Sequence, residues 1–121
     1  MTDYPSRIRR AQDVMRAEQI DALFISAPSD LRYLIGYVFH PTERMTVLFF
    51  PPEGQPSIIM PQFETSRLDA TQQFLNVRPW TETQNPVKVL ADAASDLPAN
   101  VRLAVSERMW AGFLVGMVEH F

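Results

Sequence analysis

The side chains best suited to chemistry stand together in one stretch, Tyr37-Val38-Phe39-His40-Pro41-Thr42-Glu43-Arg44, where aromatic, imidazole, carboxylate and guanidinium groups follow one another. Loops held on a rigid scaffold commonly carry such groups. Read from the residues alone, a solvated connection with a Glu43–Arg44 pair is the plainer alternative. Elsewhere the chain offers little machinery. A nucleophilic triad needs a base, yet the only histidines are His40 and His120, and no serine sits in a strand-turn-helix elbow. His120, beside Glu119 at a helix end, suits interaction with the helix dipole. There are no cysteines, which removes disulfides, thiolate metal sites and thiol nucleophiles. The four glycines, Gly36, Gly54, Gly112 and Gly116, are too scattered to cradle a phosphate. Gly112 and Gly116 fall on one side of a helical stretch and suit close packing. The 14 acidic residues recreate no compact cation loop. Glu64 with Arg67, and Lys88 with Asp92, have the spacing of solvated helix-face pairs.

These groups must be positioned by a chain of 121 residues, 46% hydrophobic and 21% charged, which is the size and composition of one globular domain. The net charge of -3, with basic residues spread out, argues against nucleic acid as a partner. The longest apolar run, Met109 to Val118, is about half the roughly 20 residues a membrane-spanning helix needs. Met1-Thr2-Asp3-Tyr4-Pro5 lacks the basic start and apolar stretch of a secretory signal, so a cytoplasmic home without membrane contact is the expectation.

The apolar residues Ile8, Ala11, Val14 and Met15 recur at helical spacing behind Pro5, predicting a first helix. Ala22 to Ser26 reads as a buried strand. Ser29 or Asp30 is placed to cap a short helix that ends at Gly36. Two strand-like runs, Thr46–Phe50 and Ser57–Met60, flank a turn-rich spacer and predict an antiparallel hairpin. A helix from Gln62 to about Phe74, a strand from Val77 to Trp80, and a helix from Val87 to Leu97 behind Asn85-Pro86 follow. Val101 to Val105 is the last strand. Ser106 then caps a final helix whose Trp110, Phe113, Leu114 and Met117 are expected in the core. The pattern predicts an α/β fold: a mixed sheet of about five strands with helices on both faces. An apolar helix at the very end leads us to expect truncation before a further domain.

Glu18 to Leu23, followed by Pro28-Ser29-Asp30-Leu31-Arg32-Tyr33-Leu34-Ile35-Gly36-Tyr37, resembles the opening of the creatinase/prolidase amino-terminal domain. That family's pattern carries asparagine, threonine and phenylalanine where this chain has Asp30, Ile35 and Tyr37. Pro41-Thr42-Glu43-Arg44 is similar to the Asp-Pro-His-Glu-Arg loop of bacterial Xaa-Pro dipeptidases, with Glu43 and Arg44 matching, Thr42 in place of the histidine and His40 standing where an acid is frequent. Val101 to Glu107 resembles the strand before the family's last helix. The resemblance covers nearly the whole chain and implies a ribonuclease H-like motif for residues 1–121. It also implies a non-catalytic domain that helps build a homodimer and covers the substrate pocket of a metal-dependent Xaa-Pro dipeptidase or aminopeptidase. Two divalent metals and the hydrolysis of proline-containing dipeptides or peptides belong, on this reading, to a missing pita-bread catalytic domain. No cofactor and no turnover are expected of the 121 residues themselves. His40, Glu43 and Arg44 are the expected substrate-capping residues, with Glu43 and Arg44 exposed and free of strong partners within the domain. The same resemblance also fits a non-enzymatic interaction module, or the corresponding domain of a creatinase-type amidinohydrolase.

Overall fold

The structure, a computed structural model, describes residues 2–121. Helix α1 spans Tyr4–Ala17; the Asp3 carboxylate accepts from the Ser6 N–H at 3.1 Å, and Pro5 occupies the first turn, where its missing N–H costs nothing. Strand β1 (Ala22–Ile25) leads to α2 (Pro28–Ile35), then β2 (Val47–Phe50) and β3 (Ser57–Pro61). Two 3₁₀ turns, Gln62–Arg67 and Ala70–Gln72, precede β4 (Asn76–Trp80), α3 (Pro86–Ala93), β5 (Leu103–Val105) and α4 (Ala111–Val118).

The five strands form one sheet in the order β4-β3-β2-β1-β5. The predicted hairpin is there, with β2 and β3 antiparallel, and β2 also pairs antiparallel with β1. The two edge strands join in parallel, β4 on β3 and β5 on β1. Side chains of a strand alternate between faces, so β2 sends Leu48 and Phe50 into one core and Val47 and Phe49 into the other. The first core receives Ile8 and Met15 of α1 and Leu31 and Ile35 of α2; the second receives Val87 and Leu90 of α3 and Met117 of α4. Phe24 and Phe50, both fully buried, contribute about 1.5 to 3 kcal/mol each by leaving water. This is the expected mixed α/β sheet with helices on both faces.

Four local expectations are corrected. Helix α2 starts at Pro28 and has no side-chain cap; Ala27, extended at ψ 132°, precedes the proline as X-Pro sterics require, so Ser29 and Asp30 lie inside the first turn. The stretch after Gln62 is not one helix. Leu68 is extended, the Asp69 side chain accepts from the Thr71 N–H at 2.8 Å, and the Gln72 side chain accepts from the Asp69 N–H at 3.0 Å. These local bonds compete with the helical ladder and restart the backbone as a second short turn. Ser106 caps nothing, because it continues β5: its N–H donates to the Phe24 carbonyl at 2.9 Å and its Oγ accepts from the Ser26 N–H at 3.1 Å. On α4, Met117 is buried and Phe113 partly so, but Trp110, Leu114, Val115 and Val118 are exposed. An all-round apolar helix carries no periodicity to say which side faces the sheet.

Helix α3 matches its expected start, with the Asn85 side chain accepting from the Val87 N–H at 3.0 Å, but it ends at Ala93. Gly116 lets α4 approach α3, since a Cβ there would lie 3.0 Å from Val87 Cγ2; Gly112 faces open space. Among the described residues, ion pairs join Arg16 to Asp13 and Arg44 to Glu43 and Glu82, and neither expected helix-face pair forms. Hydrated pairs of that sort are worth too little to hold two long side chains together. No described helix is long and apolar enough to cross a membrane.

Candidate functional site

The loop from Tyr37 to Arg44 is framed by two backbone fixtures. At its start Gly36 sits at φ 70°, the left-handed conformation that ends α2, and its N–H donates to the Arg32 carbonyl at 3.0 Å. A Cβ at Gly36 would lie 2.7 Å from Cζ of Tyr4, so α1 also presses on this point. At the other end Met45 is buried, and its carbonyl accepts from Trp80 Nε1 at 2.9 Å. That bond follows from the sheet: Val47 pairs with Ile59, and Pro61 pairs with Trp80, so the residues before β2 lie at the same end of the sheet as the end of β4.

Between these fixtures the side chains alternate. Tyr37 and Phe39 point inward, stacked with centroids 5.5 Å apart at 12°, whereas Val38, His40, Pro41, Thr42 and Glu43 are exposed. The expected capping residues therefore share one outward-facing loop, with Arg44 half-buried at its end. Arg44 was expected to be exposed and free of strong partners within the domain; instead it is half-buried and engaged by two carboxylates. Its Nε donates to Glu82 Oε1 at 2.6 Å, its Nη1 donates to Glu43 Oε1 at 3.3 Å, and its own N–H donates to Thr42 Oγ1 at 3.1 Å. The guanidinium carbon lies 5.5 Å from the ring centroid of Phe63, itself exposed. The hydrogen bond that Arg44 donates to Glu82 and the negative charge of Glu82 push the Arg44 pKa up; desolvation opposes this, and Glu43 and Glu64 add smaller attractions. Glu82 and Phe63 were not legible as site residues. Glu82 stands far from the loop in the chain, and only the strand order brings it near.

Tyr37 is the loop's buried titratable group. Burial pushes its pKa up from the ordinary tyrosine value, Glu64 adds to the rise and Arg67 opposes it. Its hydroxyl has no hydrogen-bond partner among the described residues.

Chemically the loop offers charged contacts on an exposed surface. Among the described residues, no three or more histidine, cysteine, aspartate or glutamate side chains come together as a metal site would need.

Comparison with known proteins finds relatives of the chain in sequence and in fold. The dipeptidase PepE from Mycobacterium ulcerans is 30% identical and superposes with a TM-score of 0.86, over 97% of this chain and 32% of that one. The N-terminal domain of an Xaa-Pro dipeptidase from Lactobacillus brevis shares the fold at 21% identity and a TM-score of 0.84, covering 95% of this chain and 87% of that one. A Staphylococcus epidermidis protein described as an uncharacterized peptidase is 26% identical over 67% of this chain and 23% of its own length. This chain thus spans about a quarter to a third of the curated relatives it matches. Residues 7–116 match the creatinase/prolidase N-terminal domain, and the chain belongs to that family.

Proposed function

We propose that this domain serves a metal-dependent Xaa-Pro peptidase as its substrate gate, with the loop from Tyr37 to Arg44 covering the pocket of a catalytic domain outside these residues, in a cytoplasmic homodimer. The observation that carries the reading is the form of the loop. Its aromatic residues are packed inward while His40 and Glu43 face solvent and the Arg44 guanidinium stays half-accessible. That combination presents charge from a fixed base, as a lid over a zwitterionic dipeptide requires. Closure of such a lid excludes water and limits substrate length. On this reading the two divalent ions and the hydrolysis belong to the catalytic domain, and turnover is not expected of the 121 residues alone. The similarity to a dipeptidase at 30% identity supports the substrate class. The exposed apolar side chains of α4, Trp110, Leu114, Val115 and Val118, support a contact with that domain or with a second subunit.

The test is Arg44→Ala in the full-length peptidase. Losing a charged contact to substrate lowers kcat/KM for Xaa-Pro dipeptides on the order of ten- to a hundredfold, while the melting temperature barely moves. Unchanged kcat/KM with a lowered melting temperature would make Arg44 a purely structural residue and overturn the gate.

A further inference from the structure

We infer that Glu82 is a positioning residue for this loop, holding the Arg44 guanidinium in the orientation in which it meets a ligand; its consequence for substrate rests on the gate proposed above. Two points of the sheet place the pair. Trp80 ends β4 and is tied to Met45 through the buried 2.9 Å hydrogen bond. Arg44 precedes Met45 and Glu82 lies two residues beyond Trp80, so both side chains project from backbone that this bond has already brought together. The Glu82 side of the contact is braced as well. The Thr81 N–H donates to Gln84 Oε1 at 2.8 Å, the Gln84 N–H returns to the Thr81 carbonyl at 2.9 Å, and Asn85 then caps α3. Glu82 thus stands on a closed turn, whereas Glu43 stands on the loop itself.

The atoms engaged matter. A carboxylate at Nε fixes the plane of the guanidinium, because that nitrogen lies next to the aliphatic stem. Glu82 then occupies the edge that the Nε–H shares with one Nη2–H, and the Nη1–Nη2 edge is directed elsewhere. Nη1 has only the 3.3 Å contact to exposed Glu43, and Nη2 makes no hydrogen bond among the described residues. One edge of the guanidinium is held and the other is left for an incoming carboxylate, while Phe63 flanks it at 5.5 Å. Glu43 is less suited to this: its single contact is 3.3 Å against 2.6 Å for Glu82, and its side chain is 77% exposed against 63%. Ion pairs this exposed contribute little to fold stability, so the value of the Glu82 contact lies in orientation.

The experiment compares Glu82→Ala, Glu82→Gln and Glu82→Asp. In the 121-residue chain, solvent exchange of the Arg44 Nε–H is followed by NMR beside the melting temperature. Glu82→Ala speeds that exchange by about two- to fivefold, the range an exposed pair supports, with the melting temperature unchanged. Glu82→Gln gives an intermediate rate, since it keeps an acceptor and loses the charge, and Glu82→Asp restores part of the protection. In the full-length peptidase, Glu82→Ala raises KM for an Xaa-Pro dipeptide by a similar factor, more than it alters kcat. Unchanged Nε–H exchange in Glu82→Ala overturns the inference whatever the kinetics show. Faster exchange in Glu82→Ala together with normal kinetics in Arg44→Ala retains the hold on Arg44 and rejects the gate, so the two failures are distinguishable.

Discussion

Replacing Tyr37 by phenylalanine should stabilise this domain, and the reasons lie in one ring. Tyr37 is 3% exposed and its ring stacks on Phe39, an arrangement phenylalanine can keep. What the substitution removes is a hydroxyl that is buried and makes no hydrogen bond among the described residues. A buried polar group left without a partner costs about 1 to 3 kcal/mol, and removing it while retaining the apolar ring recovers part of that. We expect a gain of about 1 kcal/mol, which in a domain of this size raises the melting temperature by about 4 °C. Urea unfolding followed by the fluorescence of Trp80 and Trp110 measures it directly. A second signature lies in pH. Burial raises the folded-state pKa of Tyr37 above its ordinary value of 10.0, with Glu64 adding and Arg67 opposing. Below pH 10 the phenol is neutral in both states and contributes no slope. Above it, the unfolded chain ionises while the folded chain still holds the proton, so the unfolded state gains and stability falls as pH rises toward the folded-state pKa. Phenylalanine cannot ionise, so the advantage of the variant widens above pH 10. A variant less stable than the parent by more than about 0.5 kcal/mol at pH 7 would refute the reasoning. It would mean that the hydroxyl has a partner, most simply an ordered water.

Two further substitutions test the packing. Met117→Ala should cost about 2 to 5 kcal/mol, because this side chain is 1% exposed and its loss opens a cavity under α4, while Leu114→Ala should cost under about 1 kcal/mol; equal costs by urea denaturation would mean that the helix is turned differently. Gly36→Ala should cost at least about 2 kcal/mol, since a left-handed residue with a Cβ is strained by about 1 to 2 kcal/mol and that Cβ would also meet the Tyr4 ring; a thermal melt within about 1 °C of the parent's would show that the α2 terminus relaxes.

What could be read ahead of the structure was what short-range rules control. The β2–β3 hairpin follows from two apolar runs around a proline- and glycine-bearing turn, and Asn85-Pro86 marks the start of α3 by a bond only two residues long. Gly36 likewise ends α2 through its own backbone angles. The failures share a different cause. Between Gln62 and Phe74, an apolar pattern compatible with a helix is overruled by the side chains of Asp69 and Gln72, whose hydrogen bonds to nearby backbone are invisible to periodicity. Gln72 also donates to the Ile35 carbonyl at 2.9 Å, tying that turn to the end of α2. Ser106 was misplaced for a related reason: its hydroxyl suits a cap, but the parallel pairing of β5 with β1 carried it past the strand end into the sheet.

The candidate site divides along the same line. Its contiguous half, His40 with Glu43 and Arg44, shows in the chain because adjacent residues need no fold to be neighbours. The half that engages Arg44 depends on two registers multiplied together, β2 on β3 and β3 on β4, which bring Glu82 to the loop at one end of the sheet. Neither register alone implies the contact. The same two registers set the Trp80–Met45 bond, so the turn after β4 and the loop before β2 are held as one unit at one end of the sheet. A gate of the kind proposed would draw its charged groups from the loop and its rigidity from the strand beside it. In such a gate, loop composition would set which ligand is met, while the β4 end would determine how firmly Arg44 is presented.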